Sequence, residues 1–216
     1  MAGKESYAQL VSGYQRFLQE SYPKSKKLYE NLAEFGQSPR VCFVACCDSR
    51  VDPAVLSNTQ PGDIFVIRNV ANLVPPCCQT RKEQYHSTSA ALQYAVMHLE
   101  VEHIVVLGHS QCGGIAALLS MDETQTKKDV ISDWVSIAEP ARHQLKNTCS
   151  HLPETEQACR LEQLAMQVSL DNLRSFPDIN ARIKEGKLSI HAWHFDIKSG
   201  QVSAFDPESN HYLPLS

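Results

Sequence analysis

No stretch of this sequence approaches the roughly 18 consecutive apolar residues of a membrane-spanning helix, and its opening, MAGKESYAQL, is polar. Neither a membrane partner nor a secretory signal is expected, and a reducing, cytoplasmic setting is. An excess of basic charge is also lacking: 20 lysines and arginines face 24 aspartates and glutamates, a formal charge of −4. Nucleic-acid binding draws its affinity from clustered cations that neutralise phosphates, so no nucleic-acid partner is expected. Internal repeats, low-complexity tracts and Gly/Pro/Ser-rich linkers are absent. The 216 residues therefore read as one domain over 1–216, with a helical arm over 1–35. With 43% apolar and 20% charged residues the composition is globular. A core of this length needs no disulfides to fold.

What is present is periodicity. Tyr7, Leu10, Val11, Tyr14, Phe17 and Leu18 recur at three- and four-residue spacing, an amphipathic helix over 5–20 that Pro23 is expected to close. A shorter helix over about 24–34 carries Leu28 and Leu32. The runs 41–46, 64–67 and 104–107 are short, β-rich and apolar on both faces, as in parallel strands covered on both sides. Helical spacing occupies 86–99, then 115–120 after Gly113-Gly114, then 125–185, where Leu161, Leu164, Ala165 and Val168 form one stripe. Strand character returns at 188–195 and 202–205. The alternation predicts an α/β fold with a central, mainly parallel β-sheet flanked by helices.

Eight cysteines in a reducing setting suggest metal binding or chemistry before disulfides. Two segments each follow a predicted buried strand: Cys46-Cys47-Asp48-Ser49-Arg50 and Gly108-His109-Ser110-Gln111-Cys112-Gly113-Gly114. Ligand sites form at the carboxyl ends of strands in open parallel sheets, so Cys46 and His109 can meet there. His109 and Cys112 are spaced to face one ion across a strand-to-helix turn. One imidazole and two thiolates make a three-ligand zinc set. Three ligands point to catalysis, because structural zinc normally takes four protein ligands. The competing reading is that Cys46 and Cys112 are packed thiols.

The combination Cys-x-Asp-Ser-Arg at 46–50, Arg68-Asn69-Val70-Ala71-Asn72-Leu73-Val74, and Gly-His-Ser-x-Cys-Gly-Gly at 108–114 resembles the β-class carbonic anhydrases. The resemblance runs from about Gly36 to Leu119 and implies one Zn2+ per subunit on Cys46, His109 and Cys112. It implies reversible hydration of carbon dioxide by hydroxide made at the zinc and oriented by an Asp48–Arg50 dyad. It also implies that Gln37, Phe65, Val70 and Tyr94 line the site and that the Gly113 amide meets substrate. From the residues alone Phe65 and Val70, near the end of the second strand, suit an apolar wall or ordinary core. Phe43 stands where some relatives carry tryptophan. With Gln37 this resembles the plant-like, open-site branch, in which Asp48 stays off the zinc near neutral pH. Two thiolate ligands predict activity that rises on the alkaline side. His98 shares a helical face with Tyr94 and occupies the place of a proposed proton shuttle. A surface histidine is the alternative.

The apolar stripe of the first helix could pack on its own subunit; relatives embrace a partner with such N-terminal helices, so a homodimer or higher even oligomer is expected. Cys77-Cys78, Cys149 and Cys159 read as free thiols. His191 and His194, three apart on a strand, point to opposite faces and are not expected to share an ion. Carbonyl sulfide or carbon disulfide hydrolysis on the same scaffold is a second reading. A non-catalytic zinc-binding interaction protein is a third.

Overall fold

The computed structural model describes residues 2–77, 87–121 and 129–215. The chain divides into two compact units, Met1–Gln37 and Ser38–Ser216.

In the first unit, helix α1 (Ala2–Arg16) runs through a single π-helical turn (Phe17–Ser21) into α2 (Tyr22–Phe35). Pro23 does not close the first helix as the spacing suggested. It stands in the first turn of α2, where a missing N–H costs nothing, and the wide turn before it keeps the backbone helical. Phe17, Tyr22 and Tyr29 gather around that turn, with ring centroids 5.5–6.2 Å apart. Gly36, at φ 80°, ends α2.

The second unit is built on a six-stranded sheet. Its strands are β1 (Val41–Cys46), β2 (Ile64–Asn69), β3 (His103–His109), β4 (Ser189–Asp196), β5 (Gln201–Asp206) and β6 (His211–Pro214), in the order β2-β1-β3-β4-β5-β6. The first four are parallel. β5 and β6 add antiparallel, and β6 gave no strand pattern in the sequence. The mainly parallel sheet predicted from the alternation is present.

Alternation along the central strands sorts their side chains to two faces. Cys42, Val44, Ile104 and Val106 pack with residues of α4 (Ser87–Met97), α8 (Glu154–Arg174) and α9 (Pro177–Lys184). Phe43, Ala45, Val105 and Leu107 pack on the other face with Val51, with Leu56 of α3 (Pro53–Ser57) and with Trp193. Phe43 meets Trp193 edge-on, centroids 5.8 Å apart. A third apolar cluster lies past the carboxyl ends of the strands. It joins Cys46, Ala71 and Cys112 to α5 (Gly113–Leu119), α6 (Val130–Val135), α7 (Glu139–Cys149) and α8. Leu161, Leu164 and Ala165 of the predicted stripe are buried in it and Val168 packs against it.

Strand order reverses at β1: the chain steps to β2 on one side, then to β3 on the other. Such a switch point opens a crevice at the carboxyl ends of the two strands. Cys46 ends β1 and His109 ends β3.

Candidate metal centre

Cys46, His109 and Cys112 meet at that crevice. Their ligand atoms lie within 4.8 Å of one another, and all three residues are buried. The Nδ1 of His109 is 2.9 Å from the Ser110 carbonyl. A carbonyl only accepts, so Nδ1 carries the proton and Nε2 presents a lone pair. That Nε2 is fully buried with no hydrogen-bond partner. An orphaned nitrogen of this kind costs free energy unless a cation takes it.

The two sulfurs are 4.0 Å apart and are not bonded as a disulfide. The Cys112 thiol hydrogen-bonded to Cys46 holds Cys46 well below the ordinary thiol range, and the same contact raises Cys112. Backbone amides of Asp48 and Ala71 reach the Cys46 sulfur, and those of Gly114 and Ile115 reach Cys112. Cys42, on the same strand, has only burial acting on it and is pushed up to about 12. Burial pulls His109 down, but Cys46, the Ser110 carbonyl and the Asp48 charge outweigh it and raise the imidazole. Two soft sulfurs and one imidazole in a negative environment fit a borderline divalent ion such as zinc and disfavour hard-oxygen metals.

Asp48 stands beside this cluster, its Oδ2 3.9 Å from His109 Nε2. Arg50 engages both carboxylate oxygens, Nε on Oδ1 at 2.9 Å and Nη2 on Oδ2 at 2.7 Å. The Arg50 amide also donates to Oδ1. These bonds hold the Asp48 carboxyl far below the usual carboxylate range. Arg50 Nη2 is anchored in turn on the carbonyl of Gln111, 3.0 Å away, a residue in the left-handed region at φ 58°.

A carbonic anhydrase family model matches residues 41–202 of the chain. Beta carbonic anhydrase 3 of Arabidopsis thaliana is 37% identical over 204 residues, 94% of this chain and 78% of that protein. The chain belongs to the β-carbonic anhydrase family. Among solved structures, the β-carbonic anhydrase CcaA superposes with a TM-score of 0.91 at 32% identity, over 98% of this chain and 93% of the other. A structure described as one of two tetrameric β-carbonic anhydrases from the ascomycete Sordaria macrospora superposes with a TM-score of 0.81. It is 30% identical, over 93% of this chain and 96% of that one.

The remaining site residues expected from the family likeness fall in three places. Val70 and Gly113 are at the centre: Val70 begins the 3-10 turn after β2, and Gly113 is the exposed first residue of α5. Phe65, Tyr94 and His98 form a separate aromatic row. Phe65 and Tyr94 are 6.0 Å apart, and His98 stacks on Tyr94 at 5.3 Å. Phe65 is not near the end of β2 as the sequence suggested. It pairs with Cys42, four residues and about 13 Å of strand before the Cys46 level. Gln37 is exposed and closes the first unit.

The sequence reading missed the residues that hold the ligands. Glu162 Oε1 accepts the Cys112 amide at 3.2 Å, and its Oε2 lies 2.9 Å from His194 Nε2. Both side chains are nearly buried, each residue being 5% exposed. Gly108 makes this approach possible, since a Cβ there would lie 2.5 Å from Met166 Sδ. Met166 follows Glu162 by one turn of α8, so the contact that needs Gly108 also brings Glu162 to Cys112. One signal was available: Glu162 is a charge in register with the buried Met166, Ser169 and Leu173. Asn69 braces the turn that carries Val70, bonding the Leu73 amide at 2.9 Å and the Leu73 carbonyl at 2.8 Å. Trp134 of α6 donates to the Val70 carbonyl at 2.7 Å. The braces hold Ala71 and Asn72 at φ 62° and 48°, positions that disfavour side chains.

Proposed function

We propose that this chain catalyses the reversible hydration of carbon dioxide to bicarbonate and a proton, with Zn2+ held by Cys46, His109 and Cys112. A zinc ion with three protein ligands lowers the pKa of a water it holds and so supplies a nucleophile near neutral pH. One observation carries the reading. A buried, unpartnered imidazole nitrogen lies within 4.8 Å of two sulfurs, with a carboxylate 3.9 Å away that is already committed to an arginine.

Asp48 is ionised and offers only acceptor lone pairs. Held by Arg50, it accepts a hydrogen bond from the nucleophile and orients its free lone pair toward carbon dioxide. The same grip keeps Asp48 from turning onto the ligand cluster, which supports the open-site reading. Val70 supplies an apolar wall for a small apolar substrate. The Gly113 amide, free of a helical partner in the first turn of α5, donates to a product oxygen.

Phe65 and Tyr94 complete the pocket, Gln37 is carried over from the family likeness alone, and His98, exposed at the surface, passes the proton to buffer. The row of Phe65, Tyr94 and His98 is set back along β2 from its own Cys46, so it serves the centre of another copy in an even oligomer. The tetrameric Sordaria relative supports assembly. So do the exposed Tyr7, Leu10, Tyr14 and Leu18, which suit an arm over 1–35 that packs on a partner copy. Among the described residues no helix is long and apolar enough to cross a membrane.

Stopped-flow hydration of carbon dioxide, with zinc measured on the same sample, tests the reading. Activity that tracks the first equivalent of zinc per chain is expected, with activity and that equivalent lost in Cys46→Ser. Zinc-replete protein with no hydration activity would overturn it.

A further inference from the structure

Behind the first centre lies a second group of metal-ligating side chains. Cys159, Glu162 and His194 bring a sulfur, a carboxylate oxygen and an imidazole nitrogen within 4.8 Å of one another. Cys159 and Glu162 are three residues apart on α8, on one helical face. His194 reaches them from β4, while His191 turns to the other side and pairs with His103. Glu162 and His194 are buried and Cys159 is exposed, so the group has a door to solvent.

Its charge balance is incomplete. Buried charges are normally paired or bound to a metal. Among the described residues no lysine or arginine pairs with Glu162; its ionic partner is His194, at 2.9 Å. An imidazole is charged only when protonated. Burial, and then the negative charges of Glu162 and Asp196, raise the Cys159 thiol. The pocket is thus electronegative, with Arg160 offsetting it only in part, and the cation paired with Glu162 is itself a metal-binding nitrogen.

We propose that Cys159, Glu162 and His194 form a second metal site that takes a borderline or soft divalent ion, Zn2+ or Cd2+, entering past Cys159. Binding releases the Cys159 proton to solvent and replaces the His194–Glu162 hydrogen bond with bonds from Nε2 and Oε2 to the ion. A proton on His194 Nε2 moves to Nδ1 or to solvent. Sulfur and nitrogen donors disfavour magnesium and calcium. Glu162 keeps the Cys112 amide on its other oxygen, so occupancy of the second site is felt at the first. The inference stands on these three residues and does not depend on the reaction proposed above.

Cadmium added to protein holding one equivalent of zinc per chain tests it. Zinc bound at the start reports the first centre, and thiolate-to-cadmium absorption reports the second. The expected result is one further equivalent of cadmium per chain with the zinc retained. Cys159→Ser should abolish that absorption, whereas Cys47→Ser and Cys149→Ser leave it unchanged. His194→Gln should weaken cadmium binding about tenfold or more, and Glu162→Gln should do the same if His194→Gln does not fold. Absence of the absorption, its survival in Cys159→Ser, or release of zinc in step with it would overturn the proposal. So would unchanged affinity in the His194 or Glu162 variant, because a lone thiol would then account for the binding.

Discussion

Arg68 grips the carbonyl of Cys46 with two hydrogen bonds, from Nε at 3.1 Å and from Nη2 at 2.9 Å. The same Nη2 reaches the carbonyls of Asp48 at 2.8 Å and Val51 at 2.6 Å. One guanidinium on β2 thereby clamps the turn that presents Cys46, Asp48 and Arg50. Its planar fork is what allows several carbonyls to be held at once.

Arg68→Lys keeps the charge and loses the fork. A stability loss of about 1–3 kcal/mol in urea unfolding is expected from the broken charge-assisted bonds. Zinc affinity should fall about tenfold or more, because the turn no longer fixes its cysteine. Chelator competition on the folded variant is the check. An unchanged zinc affinity would mean that the clamp serves stability alone.

Much of this centre was legible in the sequence, and the reason is local. Cys46 and His109 each end an apolar strand, and polar or glycine residues mark those ends sharply. Asp48 and Arg50 are two residues apart, so their pairing needed no tertiary knowledge. Long-range contacts were not legible. Nothing in the pattern tells how far Phe65 sits from the end of β2, because register is set by the neighbouring strand. No sequence spacing links Trp134 to the Val70 turn, 64 positions away, and their bond exists only once α6 is folded against it. Pro23 reads as a stop because its missing N–H usually is one, and the π-helical turn ahead of it carries no sequence signature.

The paired glycines of the second motif looked alike in sequence and differ in the fold. A Cβ on Gly113 would meet nothing within 4 Å. A Cβ on Gly114 would lie 2.8 Å from Val70 Cγ1 and 2.9 Å from Ala71 Cβ. Ala71 cannot yield, since its left-handed backbone is pinned by neighbours. Gly113→Ala should therefore be nearly neutral in thermal stability and retain most activity. Gly114→Ala should cost about 1–3 kcal/mol and depress turnover further by displacing Val70. Equal effects of the two substitutions in parallel melts and rate assays would contradict this division.

Glu162 and His194 bear on the first centre through one backbone amide. Glu162→Ala leaves the buried Cys112 N–H without an acceptor, a loss of about 1–3 kcal/mol. Glu162→Gln retains a carbonyl at that position. The first-centre zinc affinity should fall about tenfold or more in Glu162→Ala and much less in Glu162→Gln. This pattern separates a hydrogen-bond role from a purely electrostatic one, which would penalise both substitutions alike.

Acid should strip the first centre of its zinc, and the direction follows from the ligands. The Cys112 thiol is raised by the Cys46 sulfur it bonds. The His109 imidazole is raised by Cys46, Ser110 and Asp48 against the opposing effect of burial. Both must be unprotonated on the ligating atom to hold a cation, so zinc binding displaces protons and strengthens as pH rises. Cys46, held low, is already a thiolate near neutrality and adds little slope there. Asp48 stays ionised through the same range. Zinc affinity from chelator competition should climb at least about tenfold between about pH 6 and about pH 8. The slope should shrink in Cys112→Ser, which removes the thiol proton that zinc must displace. A flat profile in the wild type would mean that these groups do not ligate the ion.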